Sequence, residues 1–575
     1  MRAWPQHAIL WTIIALTIGC GPATRSDFSS GTGSQLGSAD APARLKRITV
    51  AIRGAPGSLA GERARGSFAR VPGLDAFEQL VQSGLSIPRD DNTLTPQLAE
   101  ALPTLDNGLW QLFPDGRMET RWTIRRGAAW HDGTPLTTDD LLFATMIAQD
   151  KDVGILRNPT YDLIDRVEAL DASTISVTWR RPYIEADSMF GFEIGLPLPK
   201  HILEKTYIED KASVFQTSHW TQDFIGAGPY RVREWVTDSY AVLQAYDHYA
   251  LGRPKIDEIE VRFIPDPQTL MANILAGVDM SMGRALSVDQ ATRVGEQWHE
   301  GRVSTRPYGW VTVNPQFINP GLPVLADVRF RRALLQGIDR QQLADTLMAG
   351  KAPIAHSYVN PATPDYALVE PSVVTYAYDP RIATQTLAEI GYAKGADGPL
   401  RDASGRPLIL EIRYPIQNDI HAKMTASVAD YWQQLGVTME QVSIPIPRMQ
   451  DQEYVATYPN FHLVENAIDT TVRNAMRFHS TSTPLPENRF RATGNYSRYI
   501  HPELDAALEA YVTTIPRAER MQALAATARH QSENLSTLPL IHAVTPTVVH
   551  NRVQNITGKS TRGSETWNAH EWDVR

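Results

Sequence analysis

The chain has 575 residues, 42% hydrophobic and 21% charged, with a formal net charge of -9 at pH 7. At ~150 residues per domain, that length suggests three or four domains or lobes with ordinary globular cores; an acidic balance without a basic block argues against a nucleic-acid partner. The single cysteine, Cys20, rules out an intramolecular disulfide, and a chain of this size can bury enough core to do without one.

Arg2 lies near the N-terminus, and an uncharged, mostly apolar run from Ala8 to Gly19 follows a few residues later and leads into Cys20. The run is shorter than the ~20 residues needed to span a bilayer and fits the hydrophobic region of a secretory signal. A small residue, Gly19, precedes the cysteine, as a cleavage site requires. The segment resembles a bacterial lipoprotein signal, with Thr17 where an aliphatic residue is usual and Leu16 one place further away. This implies export, acylation of Cys20 and a lipid anchor; the alternative is an ordinary signal peptide with a chance cysteine. No second long apolar run follows, so no membrane span is expected. Residues 21–45 are dominated by Gly, Ser, Ala, Thr and Pro and read as a flexible tether.

Order is expected from Arg47. Ile48–Ile52 alternates as a strand does, and Gly73–Val81 spaces its apolar residues by three and four, as a helix does. Met118–Arg125, Thr174–Trp179 and Ile259–Phe263 alternate again, as half-buried strands. Helical spacing covers Asp139–Ala148, Asp327–Gly337, Arg340–Met348 with a stop at Gly350, Ala422–Leu435 with a stop at Gly436, and Glu503–Tyr511 onward. Strands and helices are mixed without a short repeat, which gives an α/β or α+β class with several lobes. Trp130-His131-Asp132-Gly133 reads as a turn closed by glycine. That turn accounts for His131 and Asp132 without an acid–base role. Thr137 and Asp140 have the spacing of a capping box, Asp339 that of a helix cap, and Gly226-Ala-Gly228-Pro229 that of a sharp bend before a strand.

Five segments carry a resemblance. They are Pro96-Gln-Leu-Ala-Glu-Ala101; Trp122 through Phe143, including Trp130-His-Asp-Gly-Thr-Pro-Leu136; Gly226-Ala-Gly-Pro-Tyr230 with Asp247-His-Tyr249 and Gly252-Arg-Pro-Lys-Ile-Asp257; Asp327-Val-Arg-Phe-Arg-Arg-Ala-Leu334 with Gly337-Ile-Asp-Arg340; and Tyr378-Asp-Pro380 with Leu387 to Tyr392. In this order and spacing they resemble the family 5, peptide/nickel-type, extracellular solute-binding proteins of ABC importers, from about Arg47 to Leu540. The resemblance implies a two-lobed periplasmic-binding-protein fold, type II, of the large peptide-binding variety with an extra small domain on the first lobe. The expected division is lobe I from 46–70, 190–305 and 535–575, the extra domain from 71–189, and lobe II from 306–534.

The function so implied is capture of a small solute, an oligopeptide or peptide-like molecule, between the lobes and its delivery to ABC permease subunits in the membrane. No bond chemistry and no cofactor are expected. The expected place is the periplasm or the outer face of the cell membrane, as a lipid-anchored monomer. In peptide-binding relatives an aspartate of the second lobe pairs with the peptide's α-amino group. The corresponding stretch here, Phe461 to Asn474, lacks their Trp and Asp-Pro, so Glu465 and Asp469 are both candidates for that role, and Arg473 is a candidate for a ligand carboxylate. Tyr308, Trp310 and Asn314 correspond to a segment near hinge and cleft: Trp310 either stacks on ligand or packs in the core, and Asn314 secures hinge backbone more readily than ligand. Two other readings stay open, a ligand sensor that does not transport and a carrier of a metal chelate, opine or sugar, with His462 and His479 as the histidines placed to serve a metal. A hydrolase is disfavoured, since the chain has no Gly-x-Ser-x-Gly elbow and no His-Glu-x-x-His helix.

Overall fold

The computed structural model describes residues 45–60, 71–153, 158–395, 398–416, 419–468, 470–491, 494–558 and 562–575. The apolar run, Cys20, the 21–44 stretch of the tether and Asp469 lie outside the described residues. Among the described residues no helix is long and apolar enough to cross a membrane.

A ten-stranded mixed sheet organises the chain. Its strands are β1 (Arg47–Ile52), β6 (Tyr230–Val236), β7 (Tyr240–Ala245), β8 (Glu258–Phe263), β9 (Met280–Ser281), β10 (Gly301–Pro315), β11 (Ile409–Pro415), β12 (Thr438–Ile444), β13 (Phe461–Ala467) and β14 (Leu538–His550). Across the sheet they run β12-β11-β13-β10-β14-β9-β1-β8-β7-β6. A separate four-stranded antiparallel sheet holds β2 (Trp110–Leu112), β3 (Met118–Thr123), β4 (Ile164–Ala169) and β5 (Thr174–Trp179), in the order β2-β3-β5-β4. The alternating segments 48–52, 118–123, 174–179 and 259–263 are therefore strands.

The large sheet has two halves with separate cores. On the β1 side, Ile48, Val50 and Ile52 pack with Leu243, Ile259 and Val261. On the β13 side, Val311, Val313, Phe461 and Leu463 pack with helices α3 (Val328–Gln336), α4 (Arg340–Met348) and α5 (Asp419–Leu435). Two long strands join the halves. The first part of β10, Gly301 to Pro307, pairs with the last part of β14, and the second part, Gly309 to Pro315, pairs with both β13 and the beginning of β14. The small sheet has a third core, rich in Trp122, Trp130 and Trp179. The 71–189 stretch divides between cores: Phe77, Leu80 and Val81 of helix α1 (Leu74–Val81), and Phe143 and Ile147 of α2 (Thr138–Gln149), pack into the β1-side core, whereas β2 to β5 build the small one.

Local motifs explain several of these placements. The Asp140 carboxylate accepts from the Thr137 amide at 3.0 Å and so caps α2. Asp327 and Asp339 cap α3 and α4, accepting from the amides of Arg329 and Gln342, each at 2.9 Å. Gly436, with φ +99°, ends α5. The Gly226-Ala-Gly-Pro229 motif works by a different route from the expected bend. Neither glycine has a positive φ; both lie against the carbonyl end of α1. A Cβ at Gly226 would stand 2.0 Å from the Val81 oxygen, and one at Gly228 would stand 2.3 Å from the Val81 carbonyl carbon. The glycines are there because backbone meets backbone.

Candidate ligand-binding site

The two joining strands are irregular where the halves meet. Pro307 of β10 faces Val544 and Gly309 faces Ala543, so Tyr308 has no partner in the ladder. Such a bulge bends the strand and re-aims a side chain. The Tyr308 hydroxyl donates to Oε2 of Glu465 on β13 at 2.8 Å. Burial first, and the Glu465 carboxylate second, raise the Tyr308 pKa well above its ordinary value, so the phenol stays protonated and donates. Arg284, in the loop after β9, lies with its guanidinium 5.7 Å from the centre of the Tyr308 ring. His421, in the first turns of α5, places Nε2 3.5 Å from Glu465 Oε2. Glu465 is half-buried, and its other oxygen, Oε1, accepts no hydrogen bond among the described residues. The constellation draws on both halves of the sheet and leaves one carboxylate oxygen available to a cation.

The other candidates fall on the opposite face of β10 and β13 or beyond it. Asn314 is buried; its amide donates to the His462 carbonyl at 3.2 Å and its oxygen accepts from Ser497 at 3.2 Å, tying β10 to β13 and to the loop before helix α6 (Pro502–Thr513). Trp310 is 2% exposed, sits edge-on to Phe478 with centroids 6.1 Å apart, and has an indole N–H without a hydrogen-bond partner among the described residues. Arg473 is exposed, beyond the end of β13, with no ion-pair partner among the described residues. His462 is fully enclosed by Tyr458 and Tyr496, and burial first pushes its pKa down to about 3, so it is neutral. His479 accepts from the Thr481 amide through Nδ1 and faces Asp505 and Glu509 at 3.8 and 3.7 Å. His131, in the turn, is structural: Nδ1 accepts from the Gly226 amide and Nε2 donates to the Gly228 carbonyl, and burial holds its pKa at about 4.

A second set of contacts joins the small-sheet region to the β13 side. Glu185 Oε1 accepts from the Val472 amide at 2.9 Å, Arg181 pairs with Glu509 at 2.9 Å, and the Ile184 amide donates to the Val512 carbonyl at 3.3 Å. Arg562 pairs with Glu193, with Nε to Oε1 at 2.9 Å. Burial pushes the neighbouring Asp187 up to about 6, with Arg562 pulling the other way. Sequence reasoning misses Arg284, His421, Glu185 and Arg562. Each sits in a loop or helix end with no motif of its own and reaches the others only through tertiary packing.

Residues 93–475 match the family model of the bacterial extracellular solute-binding proteins, family 5. The chain belongs to that family. Among curated relatives, the oligopeptide-binding protein AppA of Bacillus subtilis is 24% identical over 371 residues, which cover 63% of this chain and 64% of AppA. Among solved structures, the oligopeptide-binding protein of Thermus thermophilus, complexed with a pentapeptide, superposes with a TM-score of 0.72 at 21% identity, over 92% of this chain and 96% of that one. NikZ of Campylobacter jejuni, in complex with Ni(L-His), superposes with a TM-score of 0.71 at 20% identity, over 92% and 99%. At these identities the structural likeness establishes the fold, which is the two-lobed type II architecture of the family.

Proposed function

We propose that the chain is the extracytoplasmic substrate-binding component of an ABC importer. It captures an oligopeptide or peptide-like solute between its lobes and hands it to permease subunits, without bond chemistry. The observation that carries this reading is the junction itself. Two antiparallel strands link two separately cored halves, and a bulge at their midpoint turns Tyr308 onto Glu465. A paired ribbon with a break in its register is where such halves can swing. Lobe I is assigned to 46–70, 190–305 and 535–575, lobe II to 306–534, and the small-sheet region to 71–189. The Glu185–Val472 and Arg181–Glu509 contacts then belong to the closed arrangement. Export and a lipid anchor at Cys20 complete the reading on the strength of the N-terminal sequence; a tether of about 25 residues would let the lobes reach a permease while anchored.

Within this reading Glu465 receives the α-ammonium of the solute. The Tyr308 hydroxyl holds its Oε2, with His421 Nε2 3.5 Å away, which fixes the direction of Oε1. The test uses two pools of three- to five-residue peptides, one with free N-termini and one N-acetylated, titrated calorimetrically into protein stripped of ligand by unfolding and refolding. A charge-assisted hydrogen bond of ~1.5–3 kcal/mol makes the free-amine pool bind at least tenfold more tightly, and Glu465→Gln removes that preference. Equal binding of both pools by the wild type, with no change in Glu465→Gln or in Asp469→Ala, would eliminate the amine-anchor assignment. Parallel titration with a nickel–histidine chelate separates the peptide reading from the chelate reading.

A further inference from the structure

Helix α6 and the following helix α7 (Arg517–Asn534) pack side by side on the β13 side of the fold. At one end of this pair, His501 just before α6, Glu503 in its first turn and His530 near the end of α7 converge. One ligand atom from each lies within 4.8 Å of the other two. The imidazole centroids of His501 and His530 are 4.5 Å apart, and His530 Nδ1 is 3.7 Å from Glu503 Oε2.

We propose that His501, Glu503 and His530 bind a divalent first-row transition cation of the zinc class, with one coordination position left open. The donor set argues for this ion type, since imidazole and carboxylate together suit zinc, nickel and copper rather than calcium or magnesium. The spacing argues for it as well. Bonds of 2.0–2.2 Å in tetrahedral geometry put donors about 3.3 Å apart, and the 3.7 Å between His530 and Glu503 is within reach of a small side-chain movement. Glu503 can make that movement, because its side chain is 80% exposed.

The surroundings are built as metal sites are built. His530 is 8% exposed, and its other nitrogen, Nε2, lies 3.2 Å from the Tyr499 hydroxyl. That contact orients the ring and leaves Nδ1 facing the site, as outer-shell partners do for liganding histidines. Tyr499 also stacks on His501, with planes 7° apart. His501 Nδ1 is buried with no hydrogen-bond partner among the described residues, a state that is costly unless something satisfies it. A cation here joins α6 to α7. None of the three ligands belongs to the Tyr308–Glu465 junction, so the site stands or falls separately from the solute-capture reading.

The experiment uses the full, untagged mature chain, stripped with EDTA and then dialysed against ZnCl2, with CoCl2 as a spectroscopic probe. The expected result is one zinc per chain and the visible absorption of tetrahedral cobalt bound to nitrogen and oxygen. Glu503→Gln, at an exposed position that does not threaten folding, weakens zinc binding at least tenfold, and His501→Gln with His530→Gln abolishes it. If the double variant fails to fold, the cobalt spectrum of Glu503→Gln decides. No retained zinc, or the same stoichiometry and cobalt spectrum in wild type and Glu503→Gln, overturns the proposal.

Discussion

Replacing Arg331 with methionine is expected to cost roughly 3–5 kcal/mol of stability, because it strips the charged donor from several buried carbonyls at about 1–3 kcal/mol each. Arg331 lies on α3 and is 3% exposed. Its guanidinium donates from Nε to the Leu535 carbonyl at 3.1 Å, from Nη1 to that of Leu325 at 2.5 Å and from Nη2 to that of Asn534 at 2.6 Å. It also lies 4.8 Å from the centre of the Phe317 ring. Two of the three carbonyls close the C-terminus of α7, where a cation is favoured and backbone acceptors have no partner within the helix. Burial lowers the arginine's pKa to about 10, which leaves it charged at neutral pH. Methionine keeps most of the volume but leaves three buried acceptors without donors, each costing about 1–3 kcal/mol. Urea unfolding followed by tryptophan fluorescence checks it: a shift of the midpoint worth less than ~1 kcal/mol would mean that water replaces the guanidinium at little cost.

Glu565 is the second position where a large loss is expected, about 3 kcal/mol for Glu565→Ala. Its side chain is fully buried in the C-terminal segment, where Oε1 accepts from the Gly283 amide and Oε2 lies 3.8 Å from Arg306 Nη2 on β10. The segment is fastened to α1 by Thr566, which donates to the Ala76 carbonyl at 3.0 Å, and by Ser564, which donates to Gln79 at 2.6 Å. Alanine removes the acceptor of a buried amide and the countercharge of a guanidinium whose side chain is 8% exposed. Glu565→Gln separates the two effects: it retains an acceptor for Gly283 and loses the charge, so it should fall between wild type and alanine in the same unfolding assay. Equal stability of all three proteins would refute this account of the C-terminal segment.

Both residues show what the sequence could and could not display. Asp339 was legible as a helix cap because a cap is a local contact, made three residues away; Asp327, read as the start of a helical stretch, proved to be the cap of α3. The strands at 48–52, 118–123, 174–179 and 259–263 were legible because one buried face imposes alternation. Arg331, inside the same motif as Asp327, gave no sign of its three carbonyls, two of which lie more than 200 residues further along the chain. The glycines at 226 and 228 announced a backbone constraint but not its cause, which is contact with the end of a helix nearly 150 residues earlier. Tyr308 and Glu465 were each visible as candidates, whereas their hydrogen bond depends on a bulge set by the pairing of β10 with β14. His501, Glu503 and His530 looked like scattered polar residues, because their spacing in sequence matches no liganding motif and only helix packing joins them.

The central claim is that the two halves of the sheet close over a solute about the β10–β14 ribbon. Small-angle scattering of the mature chain tests it most directly, first on refolded, ligand-free protein and then with the free-amine peptide pool at saturation. The account predicts a smaller radius of gyration with peptide, together with a gain in unfolding free energy of about 2.7 kcal/mol at a hundredfold excess over Kd. Saturable binding with an unchanged radius of gyration, or no binding of any peptide or chelate by a folded chain, would contradict it.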